Sequence, residues 1–237
     1  MTELLFIRHG ETDWNRRPCF QGQLDVPLNA NGQLQASRLG ARLADERFDA
    51  FFSSDLQRTR QTAAPLAAAW GREPVLLPAL REQGFGEWEG LDFITIQARD
   101  PQLWPQWLAH DPDFATPGGE TARQFHTRVL QAVRALADQW PGRRVAVVTH
   151  GGCLDMLWRT AHGLPLTGLR ECAIPNTGLN RLRWVRGTLQ VEAWADAAHV
   201  EDLLAPAPPP LATHAAAHTA APSAAPAPTA SSAPTGR

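Results

Sequence analysis

Four short apolar runs constrain the fold of this chain more than any other feature of its sequence. They are dominated by consecutive apolar residues without helical spacing, which is typical of strands buried on both faces of a sheet. The runs are residues 4–7, 50–53, 75–77 and 145–148. Segments with helical periodicity lie between them. Strands that alternate with helices indicate an α/β layered fold with a mostly parallel sheet.

Local signals predict where several helices and turns begin. Asn29 or Asn31 is a suitable N-cap for a helix after the first strand. Ser54 and Thr121 are each followed by a glutamine three positions later, which is the capping-box pattern, so a helix is predicted to begin at each of them. Residues 178–194 are predicted to form a hairpin of edge strands.

The composition divides the chain into three parts. Residues 84–118 contain glycines, prolines and many aromatic side chains without clear periodicity, which indicates a cap with short helices outside the sheet. Residues 205–237 are almost entirely Ala, Pro, Ser and Thr, so they have little apolar surface to bury, and we predict a disordered tail. One folded domain is therefore expected over residues 1–204.

Composition also excludes several classes of protein. The formal net charge is −2, so the basic surface that nucleic-acid binding requires is absent. The three cysteines form no CxxC pair, which argues against a disulfide framework and a zinc ribbon. We expect a cytoplasmic protein, because the chain has neither the charged and apolar regions of a signal peptide nor an apolar run of membrane-spanning length.

The segment Arg8-His9-Gly10 directly follows the first predicted strand. Ligands of open α/β sheets bind beyond the carboxyl ends of the strands, where a glycine permits close approach of the backbone. Arginine and histidine side chains both bind anions. The segment therefore indicates a phosphate site, although a surface turn that contains a histidine is an equal alternative on this evidence alone.

Further polar residues follow the other three predicted strands. Arg58 lies in the first turns of a helix after the second strand, Glu82 lies beyond the third, and His150 ends the fourth. Because parallel strand ends converge on one edge, these side chains are expected to share a pocket with His9. A helix predicted from Gly151 adds free N–H groups and a dipole that favour an anion.

These residues lie in segments that resemble motifs of the histidine phosphatase superfamily, also called the phosphoglycerate mutase-like family. The segments are Arg-His-Gly-Glu-Thr at 8–12, Ser-Ser-Asp-Leu-Gln-Arg-Thr-Arg-Gln-Thr-Ala at 53–63, Glu82, and Thr-His-Gly-Gly at 149–152. The resemblance covers about the first 200 residues. It implies a three-layer α/β/α fold around a mostly parallel sheet.

The resemblance also implies roles for the residues of the pocket. His9 would be the nucleophile, forming a phosphohistidine that water later hydrolyses. Arg8, Arg58 and His150 would hold the phosphoryl oxygens. Two guanidinium groups and an imidazole can neutralise the charge of phosphoryl transfer and position the reacting group, so no metal or other cofactor is expected.

Other site residues have competing explanations. Asn15 and Gln21 match polar phosphate-pocket positions in the phosphatase branch of the family, and ordinary loop residues are the alternative. Glu82 matches the proton donor to the leaving oxygen, for which it must be protonated when substrate is bound. A structural salt bridge is the alternative for Glu82. Glu11 is closer to His9 in sequence, but it follows the turn and is assigned to packing or orientation.

The cap is expected to contribute to substrate binding. Phe85 and Trp88 are the aromatic residues that follow Glu82 most closely, so we expect them to line the substrate entrance. Cys153 follows His150 by three residues, and a small packed side chain explains it better than a thiol nucleophile does.

Three functions agree with this pattern. The first is a metal-independent phosphomonoesterase acting on a small phosphorylated metabolite, the second a cofactor-dependent phosphoglycerate mutase, and the third a non-catalytic phosphate-binding module. The mutase branch holds the substrate carboxylate with a tyrosine, a lysine and an arginine pair. This chain has Phe85 and Phe93 at the first two positions and no adjacent arginines between residues 82 and 142. The pattern therefore favours a phosphatase resembling α-ribazole phosphatase and broad-specificity phosphatases, with its physiological substrate and oligomeric state undetermined by sequence.

Overall fold

The computed structural model describes residues 1–17 and 19–204, and the tail predicted at residues 205–237 lies outside them. The strands are β1 (Thr2–Arg8), β2 (Ala50–Ser53), β3 (Val75–Leu76), β4 (Arg144–Thr149), β5 (Leu179–Val185) and β6 (Thr188–Asp196). The α-helices are α1 (Ala30–Arg42), α2 (Gln57–Trp70), α3 (Phe93–Arg99), α4 (Trp104–Leu108), α5 (Ala122–Gln139) and α6 (Gly151–His162). None of these helices is both long enough and apolar enough to cross a membrane.

The strands form one mixed sheet in the order β3-β2-β4-β1-β5-β6. β1, β2, β3 and β4 are parallel, and β5 is antiparallel to β1. The predicted hairpin is present as β5 and β6, and its two turn residues, Arg186 and Gly187, both have positive φ, as a two-residue type I′ turn requires. The prediction of an α/β fold with a mostly parallel sheet is confirmed.

Side chains of β1 alternate between two apolar cores. Leu4 and Phe6 belong to the core that includes side chains of α5 and α6, whereas Leu5 and Ile7 belong to the core that includes side chains of α1 and α2. Successive residues of a strand point to opposite faces, so a continuous apolar run lets helices cover both sides of the sheet. The result is the three-layer α/β/α arrangement.

Two predicted helix caps are confirmed and one is wrong. The Asn29 side chain accepts from the Gly32 N–H and caps α1, and Thr121 forms the predicted capping box of α5. α2 begins at Gln57 rather than at Ser54. The Ser54 N–H extends the sheet by donating to the Val148 carbonyl at 2.9 Å. Its hydroxyl lies 2.8 Å from His150 Nε2, so Ser54 belongs to a strand end instead of a helix cap.

The segment predicted as a cap, residues 84–118, contains α3, α4 and a 3₁₀ turn at Gly86–Trp88. Its apolar core is a cluster around buried Trp88, Ile96 and Trp104. Phe20, from the loop that follows β1, completes this cluster and lies 4.7 Å from Phe85 between ring centroids. The cap is thus packed onto the loop that begins at the Arg-His-Gly segment.

Candidate active site

Two histidines lie side by side where β1 and β4 end. These strands are parallel neighbours, and the His9 N–H donates to the Thr149 carbonyl at 3.0 Å. The ring centroids of His9 and His150 are 5.3 Å apart, and both residues are buried. The predicted convergence of strand ends therefore places both histidines at one edge of the sheet.

The state of the His9 ring follows from its surroundings. Burial, followed by the charges of Arg58 and Arg8, holds the pKa of His9 well below its usual range, so the ring is neutral near pH 7. Its Nδ1 lies 2.7 Å from the Gly10 carbonyl oxygen. Because that oxygen can only accept, Nδ1 carries the proton and Nε2 presents a free lone pair. Nε2 is thus the unprotonated nitrogen of His9, the atom that a nucleophilic histidine would use.

Arg8 and Arg58 are held in place by backbone carbonyl groups. Arg8 Nη1 donates to Ile174 at 2.6 Å. Arg58 Nη1 and Nη2 donate to Leu24 and Gly22 at 2.9 and 2.7 Å. Fixed guanidinium groups bind an anion without first losing side-chain entropy.

Three buried polar atoms of these side chains have no hydrogen-bond partner among the described residues. They are Arg8 Nε, Arg58 Nε and His150 Nδ1. Leaving such a group unsatisfied costs roughly 1–3 kcal/mol, so their occurrence together is informative. Burial and the charge of Arg58 also lower the pKa of His150 well below its usual range. A phosphoryl group, with several acceptor oxygens and negative charge, matches this set.

Glu82 lies at the N-terminus of α6. Its Oε2 accepts from the Gly152 N–H at 3.0 Å, and its Oε1 accepts from the Gln83 N–H at 2.9 Å. The carboxylate forms no ion pair with any described residue, so the salt-bridge alternative finds no partner here. Gly151, the first residue of α6, is buried, and a Cβ at this position would lie 3.5 Å from Arg8 Nε.

Arg128 on α5 holds the segment that carries Glu82. Its Nη1 donates to the carbonyls of Ala79 and Arg81 at 3.0 Å, and its Nη2 donates to that of Glu82 at 3.2 Å. The remaining N–H groups bind the Glu120 carboxylate. Sequence reasoning missed Arg128, because no local pattern separates it from the other polar residues of α5.

Asn15 and Gln21 are brought together by Thr12. The Thr12 hydroxyl lies 3.1 Å from Asn15 Oδ1 and 3.0 Å from Gln21 Oε1. Neither amide nitrogen donates to another described residue, so both remain able to bind an acceptor. Glu11 is buried, and its carboxylate accepts hydrogen bonds from Arg16 and Asn29, so it ties these two residues of the loop together.

The two cap residues have different environments. Phe85 is partly buried beside Phe20, whereas Trp88 is fully buried and donates from its indole nitrogen to Asp100 at 2.8 Å. The expectation that Trp88 lines the substrate entrance is therefore wrong, because its ring forms the interior of the cap and presents no surface.

The Cys153 thiol is packed and not poised as a nucleophile. Burial raises the pKa of the Cys153 thiol to about 12, and its sulfur donates to the carbonyls of Leu80 and Arg81, as a packed side chain would. Across residues 1–17 and 19–204, no group of three or more His, Cys, Asp or Glu side chains is arranged to hold a metal ion.

Comparison with known proteins gives a consistent result. A family model described as the histidine phosphatase superfamily (branch 1) matches residues 4–197. The chain is 35% identical to phosphoglycerate mutase-like protein 4 of Arabidopsis thaliana, in an alignment that covers 84% of this chain and 87% of that protein. It is 31% identical to the metal-independent phosphoserine phosphatase of the same plant, with 86% and 85% covered. The structure of Bacillus stearothermophilus YhfR matches with a TM-score of 0.78 at 31% identity, with 85% of this chain and 100% of that chain covered.

Proposed function

The chain belongs to the histidine phosphatase superfamily, and on this basis we propose that it is a metal-independent phosphomonoesterase acting through a phosphohistidine on His9. One observation carries the proposal. A neutral His9 whose Nε2 has a free lone pair stands beside buried polar atoms of Arg8, Arg58 and His150 that have no hydrogen-bond partner among the described residues. A nucleophile beside an anion site is the arrangement that phosphoryl transfer requires.

The reaction has two steps. In the first, His9 Nε2 attacks phosphorus, the ester P–O bond breaks, and the leaving oxygen takes a proton from Glu82. In the second, water attacks the phosphohistidine, its proton returns to Glu82, and the P–N bond breaks to release phosphate. Arg8, Arg58 and His150 stabilise the charge on the phosphoryl oxygens in both steps. Asn15 and Gln21, in the loop that follows β1, supply further amide donors to the phosphoryl group.

The substrate is proposed to be a small phosphorylated metabolite. One relative in the comparison is named a phosphoserine phosphatase, which is a phosphomonoesterase with a small substrate. Phe85 and Phe93 argue against mutase activity, because both rings pack against Phe20 in the cap and neither side chain can bind a carboxylate. The relative named a phosphoglycerate mutase-like protein keeps the cofactor-dependent mutase as the second candidate.

Trapping the intermediate tests the mechanism. The wild type should form an acid-labile phosphoenzyme and release inorganic phosphate from p-nitrophenyl phosphate. His9→Ala should do neither while unfolding at a similar temperature, and His162→Ala, at an exposed histidine at the end of α6, should behave as the wild type. Label that persists in His9→Ala would refute the assignment of the nucleophile.

A second assay separates the two enzyme candidates. With 3-phosphoglycerate, a phosphatase releases inorganic phosphate without added bisphosphoglycerate. Efficient formation of 2-phosphoglycerate that depends on added bisphosphoglycerate would establish the mutase instead.

A further inference from the structure

Arg170, in the loop between α6 and β5, lies beside the phosphate site and has no role in the mechanism above. Its Nη1 is 3.7 Å from the point that a Cβ at Gly151 would occupy, and Arg8 Nε is 3.5 Å from the same point. The two guanidinium groups therefore flank one glycine. After burial, the charge of Arg170 is the main cause that lowers the pKa of Arg8 to about 10.

The guanidinium of Arg170 forms one long ion pair and no hydrogen bond with the described residues. The acid that it approaches is Asp155, and Arg170 Nε lies 3.8 Å from Asp155 Oδ1, which is too far for a hydrogen bond. The other oxygen of Asp155 already accepts from Arg159 Nε at 3.0 Å. No described residue accepts a hydrogen bond from Arg170, so its donors are available to a ligand.

A buried arginine holds the loop that leads to Arg170. Arg159 is only 3% exposed, and each of its five N–H groups is used. Besides Asp155, the acceptors are four loop carbonyls, those of Pro165, Thr167, Gly168 and Leu169. Arg128 holds the segment of the proposed acid Glu82 in the same manner. The fold thus gives Arg170 a defined position at the edge of the site.

Exposure indicates which part of a substrate would meet Arg170. Arg8 Nε, which belongs to the phosphoryl pocket, is buried, whereas the Arg170 side chain is 43% exposed. A monoester enters with its phosphoryl group toward the buried end, so its leaving group remains toward solvent. Arg170 therefore stands on the leaving-group side.

We propose that Arg170 determines specificity by binding an anionic group, a carboxylate or a second phosphate, on the leaving group of the phosphomonoester. This inference rests on the proposed phosphatase function. Guanidinium groups bind both anions with paired, charge-assisted hydrogen bonds. Loss of such a bond typically lowers an equilibrium or rate constant by about 10- to 100-fold.

Two matched substrate pairs test the proposal. 3-Phosphoglycerate and glycerol 3-phosphate differ by a carboxylate, and fructose 1,6-bisphosphate and fructose 6-phosphate differ by a second phosphate. The wild type should have the higher kcat/KM for the member with the additional anionic group in at least one pair. In Arg170→Gln, the loss of kcat/KM for that member should exceed the loss for the member without the group by about tenfold or more. Arg170→Lys, which keeps the charge but not the fork, should show a smaller difference.

Controls separate this proposal from others. Arg134→Gln, at an exposed arginine of α5 paired only with Asp138, should match the wild type with all four esters. An ester that turns over slowly can be tested as a competitive inhibitor of p-nitrophenyl phosphate hydrolysis. Its inhibition constants for the wild type and the Arg170 variants then replace kcat/KM in the comparison. Equal losses on both members of each pair, or no loss on any ester, would overturn the role of Arg170. Failure of the wild type to hydrolyse any phosphomonoester would instead overturn the phosphatase function on which it rests.

Discussion

Replacing Glu82 by glutamine tests the proposed general acid while preserving its shape. The Glu82 carboxylate accepts one hydrogen bond on each oxygen, from the N–H groups of Gly152 and Gln83. Glutamine has a single acceptor oxygen, so one of these N–H groups loses its partner. For a partly buried site, that loss should lower the free energy of unfolding by about 1–2 kcal/mol. The folded state should therefore remain intact.

The kinetic effect should depend on the leaving group. An alcohol needs a proton to depart, so Glu82→Gln should lower kcat/KM for glycerol 3-phosphate by about 10²- to 10⁴-fold. p-Nitrophenolate departs with little protonation, so its release should slow by less than about tenfold. Phosphoenzyme formation from p-nitrophenyl phosphate should survive. Glu87→Gln is the matched control, because Glu87 is 70% exposed and forms only a long ion pair with Arg99. Equal slowing of both substrates would remove Glu82 from the acid role.

Three further predictions concern other residues of the site and the cap. Ser54→Ala removes the partner of His150 Nε2 and should lower kcat/KM by about 2- to 15-fold; unchanged kinetics would show that this contact does not orient the ring. Trp88→Ala removes the interior of the cap and should lower the free energy of unfolding in urea by about 3–5 kcal/mol, whereas a loss below about 1 kcal/mol would contradict the burial of the ring. Because His9 and His150 have lowered pKa values when folded, the unfolded state binds more protons below the ordinary histidine value of 6.5, and stability should fall as the pH drops from 7 to 5. The fall should be smaller in His9→Asn, and an identical slope would argue that His9 is not buried in its neutral form.

The outline of the fold could be predicted from local patterns. Apolar runs such as residues 4–7 and 145–148 form buried strands because a side-chain period of two places apolar groups on both faces. Caps at Asn29 and Thr121 could also be predicted, because their hydrogen bonds involve residues three positions away. The convergence of His9 and His150 follows from the parallel order of β1 and β4.

Residues whose partners are distant in sequence could not be assigned in this way. Ser54 matches a capping box, yet its N–H bonds to Val148 in the sheet and its hydroxyl contacts His150. Trp88 is close to Glu82 in sequence, yet its ring faces the cap interior. Arg128 gains its place from contacts with the segment that precedes Glu82, far earlier in the chain, and Arg170 from a loop whose carbonyls Arg159 binds.

The division between the two kinds of information has a physical reason. Strand and helix patterns depend on the spacing of neighbouring residues, and strand ends of a parallel sheet meet at one edge whatever their sequence separation. The partner of a polar side chain depends on which groups lie within about 3 Å once the segments are packed. The sequence by itself thus determined the layers and the sheet edge at which the candidate site lies, and the tertiary structure decided which side chains hold, orient or surround that edge.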